Sequence, residues 1–418
     1  MERNVCGTLK GAVTPPPSKS QAHRLLICAA LASSPCTIEC AGVNDDIIAT
    51  MRCLNALGAD ISYSGGLFKV NPVKTTKGAV LDCGESGSTL RFLMSVAAVL
   101  GADATFTGCG KLPQRPMSQL CDLLALHGME FERHSADELP VTCRGTLQGG
   151  SFSLPGNISS QYLTGLLFAL PLASVDSEIE VTGTMTSASY IAMTLDALRM
   201  AGIVIEQKGN VFKIKGNQDY DMPPTVVVEG DWSSAAFWVV AGVIGRNPLA
   251  VCGMNTESLQ GDSYIVEHLR SMGAYITVDE NKVFAMPSHL FGAELDCTDT
   301  PDLLPVLSVA AAVAQGTTTF TGVGRLRFKE SDRLAAMKDV LGKFGITSYI
   351  GEDSFTVIGG EPVAGEPVGS FGDHRIAMSA AVMSTVAKGV TVIDGAECVA
   401  KSYPTFFDDF ALLGGIEK

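Results

Sequence analysis

The sequence predicts an α/β protein of two similar globular domains, each with three buried helices inside and sheets outside. Three observations lead there. The chain has 418 residues, more than one hydrophobic core ordinarily organises, so two domains of roughly 200 residues are expected. Hydrophobic residues make up 46% of it and charged ones 18%, which supplies large cores and excludes general disorder. A single pattern also recurs six times, at a spacing of about 70 residues.

In that pattern an amphipathic helical stretch ends in a glycine and an apolar residue, followed by a short strand, a turn and a second strand. Copies lie at 55–70, 125–143, 199–216, 271–286 and 343–359, with a truncated copy, Leu-Leu-Gly-Gly-Ile-Glu-Lys, at 412–418. The marker glycines are Gly58, Gly128, Gly202, Gly273, Gly345 and Gly415. A helix C-terminus favours glycine because the left-handed conformation there carries no Cβ penalty. Between these copies runs a second helix type, apolar nearly all round, starting at Ser18, Glu85, Ser159, Asp231, Asp299 and Gly372. A helix apolar on every side is buried, and Ser or Asp near its start reads as an N-cap.

The sixth copy stops before its second strand, so an N-terminal strand around Val5 to Val13 is expected to complete it and make one domain discontinuous. Hinges are expected at Pro15-Pro16-Pro17 and from Pro223-Pro224 to Asp231. The first domain then comprises residues 1–14 and 229–418, the second 15–228. Six buried-helix N-termini would converge on the cleft between them, each with about half a positive charge, and such ends bind phosphates and carboxylates.

The net charge is −14 with no Lys/Arg-rich tract, which argues against a nucleic-acid or anionic-membrane partner. The first ten residues lack the apolar segment of a signal peptide. Leu303 to Gly324 is uncharged, but Pro305 and the run from Gln315 to Thr319 leave too short an apolar stretch for a membrane span, so a buried helix is expected. The 12 cysteines occur singly, without CxxC, and the histidines lack zinc spacing. No metal and a reducing cytoplasm are therefore expected. Gly108-Cys109-Gly110 and Gly322-Val323-Gly324 lack the third glycine of a dinucleotide fingerprint. No phosphate-binding GxxxxGK[ST] exists, and Gly84-Glu85-Ser86-Gly87 is one residue short of a serine-hydrolase elbow.

The basic residues are placed unusually. Lys19, Arg24, Arg91 and Arg375 lie near the starts of buried helices, where the helix dipole disfavours cations. Arg115, Arg325, Arg327, Lys329, Arg333 and Lys401 lie in polar loops before the amphipathic helices. Singly each reads as a surface charge; at equivalent places in several repeats they read as a lining for anions.

Several segments then carry a resemblance: Pro17-Ser18-Lys19-Ser20 with Arg24, Glu85-Ser86-Gly87-Ser88-Thr89 with Arg91, Gln114-Arg115-Pro116-Met117, and Ser159-Ser160-Gln161-Tyr162. With them go Lys329-Glu330-Ser331-Asp332-Arg333-Leu334, Asp373-His374-Arg375 and Lys401-Ser402-Tyr403-Pro404. In this order they resemble the signature segments of the 5-enolpyruvylshikimate-3-phosphate synthase (3-phosphoshikimate 1-carboxyvinyltransferase) family of enolpyruvyl transferases. The resemblance implies two domains of three inverse βαβαββ-type repeats each, a monomer, no cofactor, and the substrates phosphoenolpyruvate and shikimate 3-phosphate. By it, Lys19, Gly87, Arg115, Gln161, Arg333, Arg375 and Lys401 hold phosphoenolpyruvate. Lys19, Ser20, Arg24, Ser159, Ser160, Gln161, Ser187, Tyr190, Asp302 and Lys329 hold shikimate 3-phosphate. The family commonly has asparagine where this chain has Arg325.

These residue types suit the chemistry. Arginine forks bind phosphate and carboxylate bidentately, and Gly87 allows the backbone close to a ligand. The transfer needs two proton-transfer groups: Asp302 is assigned as base at the 5-hydroxyl and Glu330 as proton shuttle at the methylene. Lys19 bridges the substrates and His374 assists phosphate. The alternative readings are a salt bridge to Lys329 or Arg333 for Glu330 and a helix-dipole carboxylate for Asp302. A UDP-N-acetylglucosamine enolpyruvyl transferase is the nearest rival. It is disfavoured by Ser20 after Lys19, by Cys109 six residues before Arg115, and by Asp373-His374-Arg375. A non-catalytic anion-binding protein would use the same cations but leave Asp302 and Glu330 without a task.

Overall fold

The computed structural model describes residues 1–74, 78–156 and 159–417. The chain forms two compact units, Lys19–Val228 and Met1–Ser18 with Glu229–Lys418. The crossing falls after Ser18, four residues beyond the expected boundary. Ser18 N–H donates to Glu229 O at 2.7 Å and Ser18 Oγ to Gln260 Oε1 at 3.0 Å, which ties residues up to Ser18 to the unit of Glu229.

The Lys19–Val228 unit contains α1 (Lys19–Leu31), α2 (Asp45–Ala56), α3 (Gly87–Val99), α4 (Ser118–Ala125), α5 (Ser160–Ala169) and α6 (Ala188–Met200). The other contains α7 (Trp232–Ile244), α8 (Ile265–Ser271), α9 (Leu304–Val313), α10 (Arg333–Lys343), α11 (His374–Ser384) and α12 (Phe406–Leu412). Odd-numbered helices are the buried type; α3 and α7 each bury eleven residues, Phe92 and Trp238 among them. Each fully buried Leu, Val or Phe contributes about 1.5 to 3 kcal/mol relative to exposure, so these helices carry the cores. The even-numbered helices are amphipathic, and five of them end at the expected glycines, with positive φ at Gly58, Gly128, Gly202, Gly273 and Gly345. After α12 the left-handed residue is Gly414 (φ +103) rather than Gly415.

Among the described residues six four-stranded sheets complete the units, and all have one plan: a parallel pair, then two antiparallel partners. In one, Ala79–Asp82 runs parallel to Ala104–Thr107, which pairs antiparallel with Val141–Gly145, and that with Met129–Arg133. The expected N-terminal strand is two strands in different sheets. Arg3–Gly7 pairs with Thr391–Asp394 and Gly415–Glu417, closing the sixth sheet. Gly11–Val13 pairs parallel with Leu249–Cys252. Gly7 (φ +120) and Gly11 (φ +111) turn the chain between them.

The uncharged stretch after Leu303 is α9 followed by the strand Thr317–Thr321. Among the described residues no helix is long and apolar enough to cross a membrane.

Candidate active site

Four buried helices carry the expected side-chain N-cap. Ser86 accepts from Thr89 N–H at 3.2 Å, Ser159 from Gln161 at 3.3 Å, Asp231 from Ser234 at 2.7 Å and Asp373 from Arg375 at 3.0 Å. Asp299 does not cap α9; a short 3-10 turn, Pro301–Leu303, precedes that helix and carries Asp302.

In the Lys19–Val228 unit the helix starts gather cations. Lys19 Nζ donates to the buried Asp46 Oδ2 at 3.0 Å. Arg24 is 2% exposed and donates to Thr194 Oγ1, Ser20 O and Tyr190 O at 2.9, 2.7 and 2.9 Å. Burial pushes its guanidinium down to about 10, against the pull of Tyr190 and Cys28. Ser187, at the start of α6, holds a left-handed backbone (φ 59), and its carbonyl accepts Tyr190 N–H at 3.1 Å. Thus Ser20, Arg24, Ser187 and Tyr190 come together.

A second cluster forms where α3 and α5 cross. A Cβ on Gly165 would lie 2.6 Å from Arg91 O, so glycine there lets the two backbones approach. One turn earlier on α5, Gln161 accepts from Arg91 Nη1 at 2.7 Å and donates to Ser88 Oγ at 3.0 Å. Arg91 Nη2 donates to Pro116 O at 3.1 Å, next to Arg115. A Cβ on Gly87 would lie 2.7 Å from Arg91 Nη1 and 2.8 Å from Arg115 Nη1. Two guanidinium groups therefore cover the first residue of α3. Sequence reasoning placed Arg91 among the cations but gave it no ligand; only the helix crossing reveals it beside Arg115. Ser159 and Ser160 line a small, open recess with Leu154, Tyr162, Met185 and Ile191.

The other unit holds a charge network. Asp302 Oδ1 accepts from Arg333 Nη1 at 2.7 Å and faces Lys329 Nζ at 3.5 Å; Oδ2 accepts from Arg375 Nη2 at 2.9 Å. Arg333, 1% exposed, also donates to Asp373 Oδ2 and Glu330 Oε2, both at 2.8 Å. It is thus not a loop cation but the buried first residue of α10. Burial opposes ionisation of Asp302, yet Arg375, Lys329 and Arg333 outweigh it and hold the carboxyl well below the usual range. Burial lowers the Lys329 ammonium, against the pull of Asp302. His374 is buried with Nδ1 3.9 Å from Asp373 Oδ1. Lys401 is buried at the end of a 3-10 turn, Ala396–Lys401, that lies against α11. Arg325 donates to Thr298 O, and Cys109 is exposed.

Sequence reasoning missed Asp262. It is 3% exposed, accepts from Ser233 Oγ, and its Oδ1 has no hydrogen-bond partner among the described residues. Burial, then the charge of Asp302, push its carboxyl up to about 6, against the pull of Arg375 and Ser233. A raised acid makes stability greatest below about pH 4 and lowers it as pH rises through the folded value. Asp262→Asn is therefore expected to unfold at higher urea than the parent at pH 7, by roughly 2 to 3 kcal/mol, with the gain vanishing near pH 4.

The pattern of the EPSP synthase (3-phosphoshikimate 1-carboxyvinyltransferase) family matches residues 4–410. A 3-phosphoshikimate 1-carboxyvinyltransferase of Clostridium kluyveri is 43% identical over 410 residues, 97% of this chain and 96% of the relative. One from Clostridium acetobutylicum is 40% identical over 413 residues, 97% and 96% of the two chains. Among solved structures, EPSP synthase from Acinetobacter baumannii superposes with a TM-score of 0.83 at 26% identity, covering 100% of this chain and 99% of that one. The enolpyruvyl transferase NikO from Streptomyces tendae shares the fold, with a TM-score of 0.83 at 18% identity over 100% and 98% of the chains.

Proposed function

Because the chain belongs to the EPSP synthase family, we propose that it transfers the enolpyruvyl group of phosphoenolpyruvate to the 5-hydroxyl of shikimate 3-phosphate, releasing inorganic phosphate. The observation that carries this reading is the near-full-length match, at 43% identity, to a relative of that activity. The reaction serves aromatic amino acid biosynthesis, and a cytoplasmic location suits it.

The clustered cations supply what two phosphorylated, carboxylated substrates require. On the phosphoenolpyruvate side we assign Arg115, with the backbone at Gly87, together with Lys19, Gln161, Arg333, Arg375 and Lys401. Ser20, Arg24, Ser159, Ser160, Ser187, Tyr190 and Lys329 take shikimate 3-phosphate. Chemically, the C3 methylene of phosphoenolpyruvate gains a proton while the 5-hydroxyl oxygen bonds to C2 and loses its own. The tetrahedral intermediate then loses a methyl proton as the C2–O bond to phosphate breaks. Asp302, ionised throughout the working range because three cations surround it, accepts the 5-hydroxyl hydrogen bond and orients the nucleophile. Its low basicity suffices for the 5-hydroxyl proton, because the oxygen that has begun to bond to C2 is a strongly acidic oxonium; the methylene proton comes from Glu330, with Lys329 as a nearby donor whose acidity burial raises. His374 stands by the departing phosphate.

Phosphate release from phosphoenolpyruvate, measured with and without shikimate 3-phosphate, tests the reading. Release that depends on the second substrate is expected; a folded protein that binds both and releases none is instead a receptor. Gly87→Ala should fold, because the atoms nearest its β-methyl are the guanidinium ends of Arg91 and Arg115 rather than backbone. Steady-state kinetics should show the KM for phosphoenolpyruvate raised about 10-fold or more, with kcat less affected.

A further inference from the structure

Behind the cations of the Lys19–Val228 unit runs a continuous buried polar chain. His23 Nδ1 lies 2.7 Å from Thr50 Oγ1, Thr50 Oγ1 lies 2.7 Å from Thr89 Oγ1, and Thr89 Oγ1 lies 2.8 Å from Ser86 Oγ. His23 is 1% exposed and the other three 0%. The chain starts on α1, crosses α2 and ends at the N-cap of α3.

Its direction follows from the imidazole. His23 Nε2 has no hydrogen-bond partner among the described residues, and the ring stands edge-on to Phe92, 6.4 Å between centroids. A buried N–H without an acceptor costs more than a bare ring nitrogen, so the proton resides on Nδ1 and is donated to Thr50. Thr50 then donates to Thr89, and Thr89 to Ser86. Burial holds the imidazole down to about 3; Asp46 pulls it up, while Lys19 and Arg24 push it down. It therefore stays neutral and the chain keeps one direction.

Each end meets an anion-binding element. Lys19 lies one turn before His23 on α1, and its partner Asp46 lies one turn before Thr50 on α2. Ser86 precedes Gly87, the residue covered by Arg91 and Arg115. Apolar contacts alone permit small rotations of packed helices; a row of directional bonds, in which Thr50 and Thr89 each accept one and donate the next, does not.

We propose that His23, Thr50 and Thr89 are positioning residues for phosphate capture, fixing the rotation and register of α1, α2 and α3 so that Lys19 and the α3 N-terminus hold one arrangement. The proposal rests on the enolpyruvyl-transfer reading for its substrate. Thr89→Val keeps the shape and removes the central hydroxyl. It should raise the KM for phosphoenolpyruvate about 10-fold with kcat changed less than about threefold, and Thr89→Ser should restore the parent KM. His23→Leu should act in the same direction, whereas His23→Asn, whose amide N–H occupies the Nδ1 position, should not. The double variant H23L/T89V should be no worse than the weaker single variant, since both break one chain. A folded Thr89→Val protein with the parent KM overturns the proposal, whatever its Tm; if that variant does not fold, Thr50→Ala decides by the same measurement. A parent protein that releases no phosphate sinks the underlying reading instead, an outcome distinct from unchanged KM values among active variants.

Discussion

Asp302→Asn is expected to lower turnover by roughly 10² to 10⁴ while leaving the affinity for shikimate 3-phosphate within about an order of magnitude. The amide keeps the carboxylate's size but presents one acceptor where Arg333 and Arg375 now engage separate oxygens. The 5-hydroxyl then loses its ionised partner, and two guanidinium groups lose the anion that aims them. Single-turnover phosphate release measures the loss directly, with equilibrium binding of shikimate 3-phosphate as the control. A depressed carboxyl contributes stability that is full above about pH 4 and fades as pH falls toward its folded value. The stability deficit of the variant should therefore be constant from pH 7 to 8, above the range in which Asp262, raised in part by the charge of Asp302, titrates. Near-parental turnover would remove Asp302 from the mechanism.

Arg333→Leu should be the most destabilising single change, by about 3 to 5 kcal/mol, or roughly 10 °C in Tm for a unit of this size. Arg333 is 1% exposed and Asp373 0%, so water cannot replace the guanidinium. Removing it leaves Asp302, Glu330 and Asp373 facing one another with one fewer cation. Arg333→Lys keeps the charge but not the fork, because an ammonium cannot reproduce the planar fork that bonds three carboxylates at once. It should recover part of the Tm and little of the turnover. Calorimetry of the three proteins decides; equal Tm values would mean that the network is solvated.

The fold was legible because its cause is local. Marker glycines end helices by backbone geometry, and five of six stand where expected; the sixth moves to Gly414 because adjacent glycines give the chain a choice that composition does not resolve. Ser86, Ser159, Asp231 and Asp373 cap helices through hydrogen bonds two or three residues long. Pro301 replaces such a cap with a 3-10 turn, so Asp299 loses the role its type suggested. The cations of the candidate site were visible as charges out of place, but their partners were not. Arg91 meets Gln161 across a separation of 70 residues, and His23, Thr50 and Thr89 meet across three helices. No periodicity marks a threonine that faces another threonine. Asp262 escaped for the same reason, since a lone acidic residue in a polar turn reads as solvated.

The closure of the sixth sheet by Arg3–Gly7 bears on the order in which this chain becomes a protein. During synthesis Lys19–Val228 can finish all three of its sheets once Thr225–Val227 has paired with Cys36–Glu39. The other unit cannot, because Val5 must wait for Glu417. Residues 1–18 therefore leave the ribosome before the rest of their unit and find their last partner about 400 residues later, a loop closure that slows folding. A nascent chain halted after residue 228 should already carry one protease-resistant half, while its opening strands remain cleavable.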